Sequence, residues 1–181
     1  MGNLMILQAL RSERLDLIPI DPRLADEMFV GLQAPEIYTY IADLPPANVE
    51  WLRERYARLA SGKSPDAREA WLNWALRART SEVLVGYVQA TVCAERASIA
   101  YVLFPPAWGM GYASEAVAVL IDELKQNSIT EIFATVDTRN GRSITLLERA
   151  HFALRSFKKD AEMIDSLSTD EYEYVYVVDG C

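Results

Sequence analysis

The chain has 181 residues, of which 51% are hydrophobic and 24% charged, a balance typical of a soluble globular protein. Its net charge of −8 at pH 7 and its pI near 4.7 argue against a protein that binds the nucleic-acid backbone. The same acidic charge mildly favours a cationic substrate such as an amine, although it serves solubility equally well.

Strands and helices alternate in the first part of the chain. Residues 15–20 alternate apolar side chains and predict a strand. Asp21 is a suitable N-cap for a helix over residues 21–33, and the pattern of residues 48–60 predicts a second amphipathic helix. After that helix, residues 61–66 (SGKSPD) predict an exposed loop.

Three apolar segments follow, at residues 71–78, 83–92 and 98–104, and they predict antiparallel strands in a meander. Pro105 and Pro106 lack the N–H groups needed to continue the third strand, so we expect it to end there.

Small residues separate this third strand from a helix predicted over residues 114–124. Gly109, Gly111 and Ala113 keep the backbone accessible, and together with the free N–H groups of the first helical turn they predict an anion site. The spacing alone is a weak signal, because an ordinary strand–turn–helix connection has the same composition. The loop lacks the third glycine of the dinucleotide fingerprint and the Gly-Lys-Ser/Thr of the P-loop.

The remaining segments complete the sheet. Residues 131–136 predict a strand parallel to the third meander strand, because a helix connects the two. A helix at residues 143–150 and strands at 152–157 and 171–178 follow, and the polar residues 160–170 between those two strands predict a loop.

Residues 108–116 (WGMGYASEA) resemble the Q/R-x-x-G-x-G/A pyrophosphate loop of the GNAT N-acetyltransferases, in a form typical of the ribosomal-protein N-acetyltransferase branch. Trp108 stands where most members carry Gln or Arg, a departure common in this branch. Residues 12–17 and 35–38 resemble the same branch. The resemblance implies an α/β (α+β) GNAT fold in a single domain, residues 1–181. Its mixed, mostly antiparallel central sheet of about seven strands would be splayed at the CoA site and flanked by about four helices.

The resemblance also implies acetyl-CoA as co-substrate and assigns residues to it. The pyrophosphate would lie on the amides of the loop, at Trp108, Gly109, Met110, Gly111, Tyr112 and Ala113. Exposed backbone groups of the preceding strand would bond the pantetheine amides, at Tyr101, Val102, Leu103 and Phe104.

A second stretch, residues 140–152, resembles the family's N-x-x-S-x-x-x-L-E-[KR]-x-G-F signature. Asn140 and Ser143 are three residues apart and share a face at the helix start, where Asn140 is also a good N-cap in its own right. The resemblance assigns Asn140 to the pantetheine arm and Ser143 to the leaving thiolate, as a catalytic hydrogen-bond donor that also contacts the co-substrate. His151 stands where most members have glycine, and a structural role at the helix end is favoured over that of a base.

The general base is less sharply defined. The ribosomal-protein branch uses a Glu at the start of the second strand, and Glu69 is the nearest match. Glu95 is predicted to be a turn residue and Glu115 to complement a helix dipole, and a water chain is a further alternative. Trp71 and Trp74 face opposite sides of one strand, so we expect one in the core and the other in the acceptor groove.

The two cysteines, Cys93 and Cys181, give no disulfide framework, and a reducing, cytoplasmic location is expected. Cys93 is predicted to be a buried thiol and Cys181 a free one. With one histidine and no Cys/His cluster, we expect no metal. No apolar run reaches the roughly 18 residues of a membrane span, and no signal peptide is recognisable at the N-terminus.

Together these features predict an enzyme that moves an acetyl group from acetyl-CoA to a primary amine. Direct attack in a ternary complex is expected, since no Cys or Ser stands as a nucleophile beside a base. A protein N-terminal amine is the expected acceptor. The alternatives are a small amine, aminoglycoside-like or polyamine, and a non-catalytic CoA-binding module. No nucleic acid or membrane is expected as partner, and a homodimer is compatible with the family.

Overall fold

The computed structural model describes residues 7–178, which form one eight-stranded sheet with the strand order β1-β2-β3-β4-β5-β6-β8-β7. All neighbouring strands are antiparallel except β5 and β6, which are parallel. The strands are β1 Leu10–Arg11, β2 Leu15–Pro19, β3 Ala70–Ala78, β4 Leu84–Cys93, β5 Arg96–Leu103, β6 Glu131–Asp137, β7 Ala153–Ile164 and β8 Leu167–Val177. The short β1 at the edge of the sheet is the strand beyond the seven expected.

Four α-helices cover the sheet, as predicted: α1 Ala25–Leu32, α2 Val49–Leu59, α3 Tyr112–Gln126 and α4 Gly141–Arg149. Three short 3₁₀ helices accompany them, at Pro22–Leu24, Pro35–Tyr40 and Pro105–Ala107. The helix predicted from Asp21 therefore begins as a 3₁₀ turn, with the Asp21 carboxylate accepting from the N–H of Arg23. Asn48 caps α2 as expected, because its side chain accepts from the N–H of Trp51 at 2.8 Å.

The sheet separates two hydrophobic cores. The larger core lies under α3 and α4 and contains Leu120, Ile132 and Leu147. The smaller core lies under α1 and α2 and contains Met28 and Leu52. Burial of apolar surface on both faces makes the sheet a rigid divider, so the two faces can be used for different ligands.

The sheet opens between β5 and β6. These strands pair with each other only at Arg96–Glu131, Ala97–Ile132 and Ser98–Phe133. Beyond these positions β5 continues to Leu103 paired with β4 alone, and β6 continues to Asp137 paired with β8 alone. The predicted splaying is thus confirmed, and it leaves one edge of β5 without a neighbouring strand over half its length.

Residues 160–170 do not form the predicted loop. They belong to the long hairpin of β7 and β8, which turns at Asp165 and Ser166, both with positive φ. The strand expected at residues 152–157 is present as the first half of β7. Its continuation to Ile164 is almost wholly exposed and has no apolar alternation, and it is a strand because its backbone pairs with β8.

Cys93 is exposed, contrary to the prediction of a buried thiol. It is the last residue of β4 and pairs with Arg96 across the tight turn to β5, where neither helical layer covers the sheet. Cys181 lies outside the described residues.

His151 is held in a left-handed conformation, with φ of +66°, immediately after α4. The N–H of His151 donates to the carbonyl of Glu148, and the N–H of Phe152 donates to the carbonyl of Leu147. This pair of hydrogen bonds is the one that usually ends a helix at a glycine. We expect His151→Gly to raise the free energy of unfolding by about 1 kcal/mol, because glycine adopts this φ without strain.

Thermal unfolding measures this effect, as an increase of about 2–4 °C in Tm. His151→Ala is the matched control, since it removes the exposed imidazole but keeps the Cβ, and should not raise Tm. Equal Tm values for the glycine and alanine variants would contradict the strain argument.

Candidate active site

The loop between β5 and α3 has the geometry of an anion site. Gly109 and Gly111 have φ of +76° and +80°, and Gly111 is the N-cap of α3 without a side-chain cap. The first intrahelical bond is from the N–H of Glu115 to the carbonyl of Gly111, at 3.2 Å. The N–H groups of residues 112–114 therefore have no intrahelical acceptor, and they point with the helix dipole toward the space above the loop.

Trp108 fixes the start of this loop. Its indole N–H donates to the carbonyl of Leu103 at 2.7 Å, and the guanidinium of Arg142 lies 5.0 Å from the centre of its ring. Arg142, in the first turn of α4, is thereby brought beside the anion site. Arg142 could not be recognised from the sequence, because it occupies a variable position between Asn140 and Ser143 and only the fold brings it to the loop.

Glu115 ties the loop to the beginning of β2. Its carboxylate accepts from the hydroxyl of Ser12 and from the backbone N–H and Nε of Arg14, at 2.6, 2.8 and 2.6 Å. Arg14 in turn donates from Nη1 to the carbonyl of Met110 in the loop, at 2.8 Å. Burial works against the ionised Glu115, but these hydrogen bonds outweigh it and lower the pKa of the carboxyl below 4.5.

Glu115→Gln should therefore lower the free energy of unfolding by about 1–2 kcal/mol near neutral pH, the usual cost of losing hydrogen bonds to a charged group. A carboxyl whose pKa is lowered by folding stabilises the protein above its unfolded pKa and loses that contribution as pH falls. We expect the difference between wild type and variant to be complete at pH 6 and to shrink below pH 4.5.

Urea unfolding from pH 3.5 to 6 measures this difference. Asp16→Asn is the control, because Asp16 pairs with the largely exposed Arg11 and lies 3.9 Å from Arg79, and such surface pairs contribute little. A difference independent of pH would show that Glu115 acts through packing rather than charge.

The backbone of β5 is directed alternately to β4 and to the opening. The N–H of Phe104 donates to the carbonyl of Val85 in strand β4, so the backbone N–H and C=O groups of Val102 and Phe104 point toward β4. The backbone groups of Tyr101 and Leu103 point into the opening, where the carbonyl of Leu103 is already taken by Trp108. Of the four residues predicted to bond a pantetheine arm, Tyr101 and Leu103 thus have suitable backbone directions.

Asn140 and Ser143 lie at the start of α4, across the opening from β5. The Asn140 side chain accepts from the N–H of Ser143 at 3.2 Å and so caps the helix. The phenol of Tyr101 donates to the Ser143 hydroxyl at 3.2 Å. Burial raises the pKa of Tyr101, against the opposing effect of that hydrogen bond, so the phenol stays protonated and the Ser143 proton can be donated elsewhere.

Glu69 lies away from this pair. The pairing registers place Tyr101 opposite Val88 and Val88 opposite Trp74, whereas Glu69 is five residues before Trp74, about 17 Å along the strand at about 3.3 Å per residue. The Glu69 carboxylate accepts from the indole N–H of Trp71 at 3.1 Å. The structure therefore does not bring Glu69 and Ser143 together. Glu95 lies at a turn, as expected, where its backbone carbonyl accepts from the N–H groups of residues 130 and 131.

A further carboxyl lies near the end of β6 and was not noticed in the sequence. Glu171 in β8 is opposite Asp137 in β6 and Lys158 in β7. Burial and the negative charge of Glu162 raise its pKa, with Lys158 opposing and Asp137 adding to the increase. In the sequence, Glu171 belongs to an alternating strand whose polar side chains suggest only a solvated face.

The other face of the sheet carries a groove between α2, the segment before it and strands β3 and β4. Trp74 is buried in the larger core, as expected for one of the two tryptophans, while Trp71 is half-buried on this second face and is not among the residues that line the groove. Gln89 lines the groove and pairs with Ala100 in β5, which places the groove beside the opening of the sheet.

Aromatic and charged side chains surround the groove. Burial raises the pKa values of Tyr38 and Tyr87 to about 12, so both phenols remain neutral hydrogen-bond donors. Asp43 lies 3.5 Å from Arg55, and the Arg55 guanidinium stacks near the ring of Trp51. The Asp43 carboxylate is thus paired with Arg55, and the free space between these side chains is about 40 Å³, so the groove is narrow.

The described residues contain no group of three or more His, Cys, Asp or Glu side chains that could hold a metal ion. Within residues 7–178, no helix combines the length and apolar character that crossing a membrane requires.

Solved structures with this fold include several acetyltransferases. The ribosomal-protein-S5-alanine acetyltransferase from Vibrio fischeri is 16% identical with a TM-score of 0.82, covering 94% of this chain and 96% of that one. RimL, a ribosomal L7/L12 alpha-N-protein acetyltransferase in complex with coenzyme A, is 17% identical with a TM-score of 0.81, covering 95% and 99%. The Microcin C7 self immunity acetyltransferase MccE, in complex with acetyl-CoA and AMP, is 18% identical with a TM-score of 0.81, covering 92% and 94%. No curated protein sequence matches the chain.

The match to a sequence profile, rather than the fold alone, defines this protein as an acyl-CoA-dependent N-acetyltransferase. The sequence profile of the acetyltransferase (GNAT) domain matches residues 14–153, so the chain belongs to the GNAT acetyltransferase family. Acetyl-CoA is accordingly its co-substrate.

Proposed function

We propose that this acetyltransferase acetylates a protein N-terminal amine by direct attack on acetyl-CoA in a ternary complex. The observation that carries the proposal is the opening between β5 and β6. It has Ser143 and the anion loop on one side and gives access to the aromatic groove on the other. A co-substrate and an acceptor entering from opposite faces would meet there without a covalent enzyme intermediate.

The residues proposed to hold the co-substrate are those of the loop and of the opening. The pyrophosphate would accept hydrogen bonds from the amides of residues 109–113, with Trp108 fixing the loop and Arg142 adding a positive charge. The pantetheine arm would lie along the free edge of β5, at Tyr101 and Leu103, and against Asn140. The side chains of Val102 and Phe104 would support that strand from the smaller core.

Ser143 is proposed as the donor to the departing sulfur. The neutral amine nitrogen forms a bond to the carbonyl carbon of the thioester, the carbon–sulfur bond breaks with its electron pair on sulfur, and the nitrogen releases its remaining extra proton to solvent or to the thiolate as the amide forms. Since Tyr101 donates to the Ser143 oxygen, the serine's own proton is free to hydrogen-bond the thiolate. A serine hydroxyl is a very weak acid, so donation of a hydrogen bond is a better description than full proton transfer.

The ammonium must lose a proton before the attack. Glu69 remains the base predicted from the sequence, and its distance from Tyr101 along the strand requires a water chain to relay the proton. Glu171 is a second candidate, favoured by its raised pKa and its position at the end of β6. The pH profiles of kcat for Glu69→Gln and Glu171→Gln decide between them, because only loss of the base removes the acidic limb.

An N-terminal amine suits this site better than a lysine or a polyamine. An α-amino group has a pKa of about 7.7–8.0 and is partly neutral at physiological pH, whereas a lysine amine has a pKa of about 10.4. A site whose nearest carboxylates act through water can deprotonate the first more readily than the second. Two ribosomal-protein acetyltransferases among the structural neighbours add support.

Thiol release from acetyl-CoA, measured with N-terminal peptides, polyamines, aminoglycosides and free amino acids, tests the proposal. Turnover with peptides alone is expected. Turnover with a small amine alone would favour the runner-up acceptor class. Calorimetric binding of CoA without any turnover would favour a binding module. A cytoplasmic location and a homodimer remain parts of the proposal, which cell fractionation and light scattering can check.

A further inference from the structure

A second cavity, of about 570 Å³, lies between the end of α2 and the segment that precedes β3. We call it the basic pocket, defined by Arg55, Arg58, Lys63, Leu59 and Trp71. It combines three cationic side chains with the face of an indole and an aliphatic side chain, in a chain whose net charge is −8.

Two of the three cations are available to a ligand. Arg58 and Lys63 have no carboxylate within 4 Å among residues 7–178, whereas Arg55 is shared with Asp43. The nearby carboxylate of Glu69 is engaged by the Trp71 indole. Asp66, on the same segment, is bonded to the hydroxyl of Ser64 and lies 3.5 Å from Arg68. Glu69 and Asp66 keep their negative charges, but neither lines the pocket, whose lining in the described part of the chain holds three cationic side chains and no carboxylate.

The pocket has a built wall, although residues 61–66 were predicted as an exposed loop. The N–H of Ser64 donates to the carbonyl of Glu69 and that of Trp71 to Gly62, and Lys63 forms a bridge with Ala70. Ser64 is buried. Residues 62–64 thus pair through their backbone with residues 69–71, and this pairing holds Lys63 opposite the last turn of α2.

The basic pocket adjoins the aromatic groove that lies between α2 and strands β3 and β4. Arg55 and Leu59 line both. Trp71 is opposite Thr91, which is opposite Ser98, the residue after which β5 loses its partner β6. At about 4.8 Å between strands and 3.3 Å per residue, the pocket lies roughly 12 Å from the β5 edge at Ala100.

We propose that the basic pocket binds acidic side chains of a polypeptide acceptor, at about the third to fifth residue after the acetylated amine. This inference rests on the proposed function, because the distance is that from the opening to the pocket along an extended chain of about 3.3 Å per residue. Arg58 and Lys63 pair with the carboxylates, while Trp71 and Leu59 contact apolar parts of the chain. A small amine cannot occupy both places, so the pocket selects acidic N-terminal segments.

The test uses two eight-residue peptides with a free N-terminus that differ only in carrying Glu or Gln at positions 3–5. The full-length protein should acetylate the Glu peptide with a kcat/KM about tenfold higher at low salt, and the ratio should fall toward one in 0.5 M NaCl. Arg58→Glu/Lys63→Glu should remove the preference. Lys125→Glu/Arg149→Glu, which makes the same charge change on two distant exposed helix ends, should retain it.

Fluorescence anisotropy of the labelled peptides, measured without turnover, separates the two hypotheses. Preferential, salt-sensitive binding of the Glu peptide that the pocket variant loses supports the pocket even if no peptide is acetylated, in which case only the proposed acceptor is wrong. Equal binding of both peptides, or a preference that survives Arg58→Glu/Lys63→Glu, would overturn the inference even if both peptides are acetylated.

Discussion

Replacing Ser143 by alanine is expected to lower kcat about a hundredfold while changing the KM for acetyl-CoA less than threefold. The effect falls on kcat because the hydroxyl would bind the sulfur most strongly when negative charge develops on it, and donors of this kind typically contribute about 10²–10³ in rate. Ser143 is half-buried and its oxygen already accepts from Tyr101 at 3.2 Å, so an alanine leaves the helix start in place. Steady-state kinetics with a peptide acceptor measure the change.

Thr145→Ala is the matched control, because it removes an exposed hydroxyl from the same helix that bonds only the carbonyl of Gly141. Its kcat should stay within twofold of wild type. If Ser143→Ala kept full kcat, the leaving thiolate would have to be stabilised by water or by backbone groups, and the assignment from the family signature would be wrong for this chain.

Replacing Gly86 by alanine is expected to destabilise the protein by about 3 kcal/mol or more and to weaken CoA binding with it. Gly86 has a φ of +151°, and a Cβ there would lie 2.0 Å from the carbonyl oxygen of Val102. It sits beside an irregularity in the pairing of β3 with β4, directly opposite Leu103. Any relief of the clash must displace β5 at the point where it enters the anion loop.

Thermal unfolding should show a decrease in Tm of about 6–12 °C, at the usual 2–4 °C per kcal/mol for a chain of this size. Gly141→Ala is the stability control, since a Cβ at the first position of α4 meets nothing within 4 Å. A Gly86→Ala variant with wild-type Tm would mean that β5 can shift freely, and the rigid edge proposed for the pantetheine would lose its basis.

The elements with a local chemical cause could be predicted from the sequence. Asn48 caps α2 and Asn140 caps α4 because an amide side chain satisfies free N–H groups wherever a helix begins. The glycines before α3 have the positive φ values that a ligand-accessible loop needs. These causes act within a few residues, so they are visible without knowledge of the fold.

The features that depend on distant parts of the chain could not be predicted. The strands expected at residues 152–157 and 171–178 extend through residues 160–170 because they pair with each other there, not because of an apolar pattern, and Cys93 is exposed at the turn from β4 to β5. The separation of Glu69 from Ser143 follows from the registers of three strands. Arg142 reaches the loop only because α4 packs beside it.

The position of β8 between β6 and β7 has a consequence for synthesis of the protein on the ribosome. β6 has its long antiparallel partner in β8, which is made after α4 and β7, while its other neighbour, β5, pairs with it at only three positions. A nascent chain can complete the meander from β1 to β5 early, since those strands are neighbours in order of synthesis. The half of the sheet that carries α4 must wait for β8 to emerge, and until then the backbone edge of β6 that β8 covers is open to chaperones and to strands of other nascent chains.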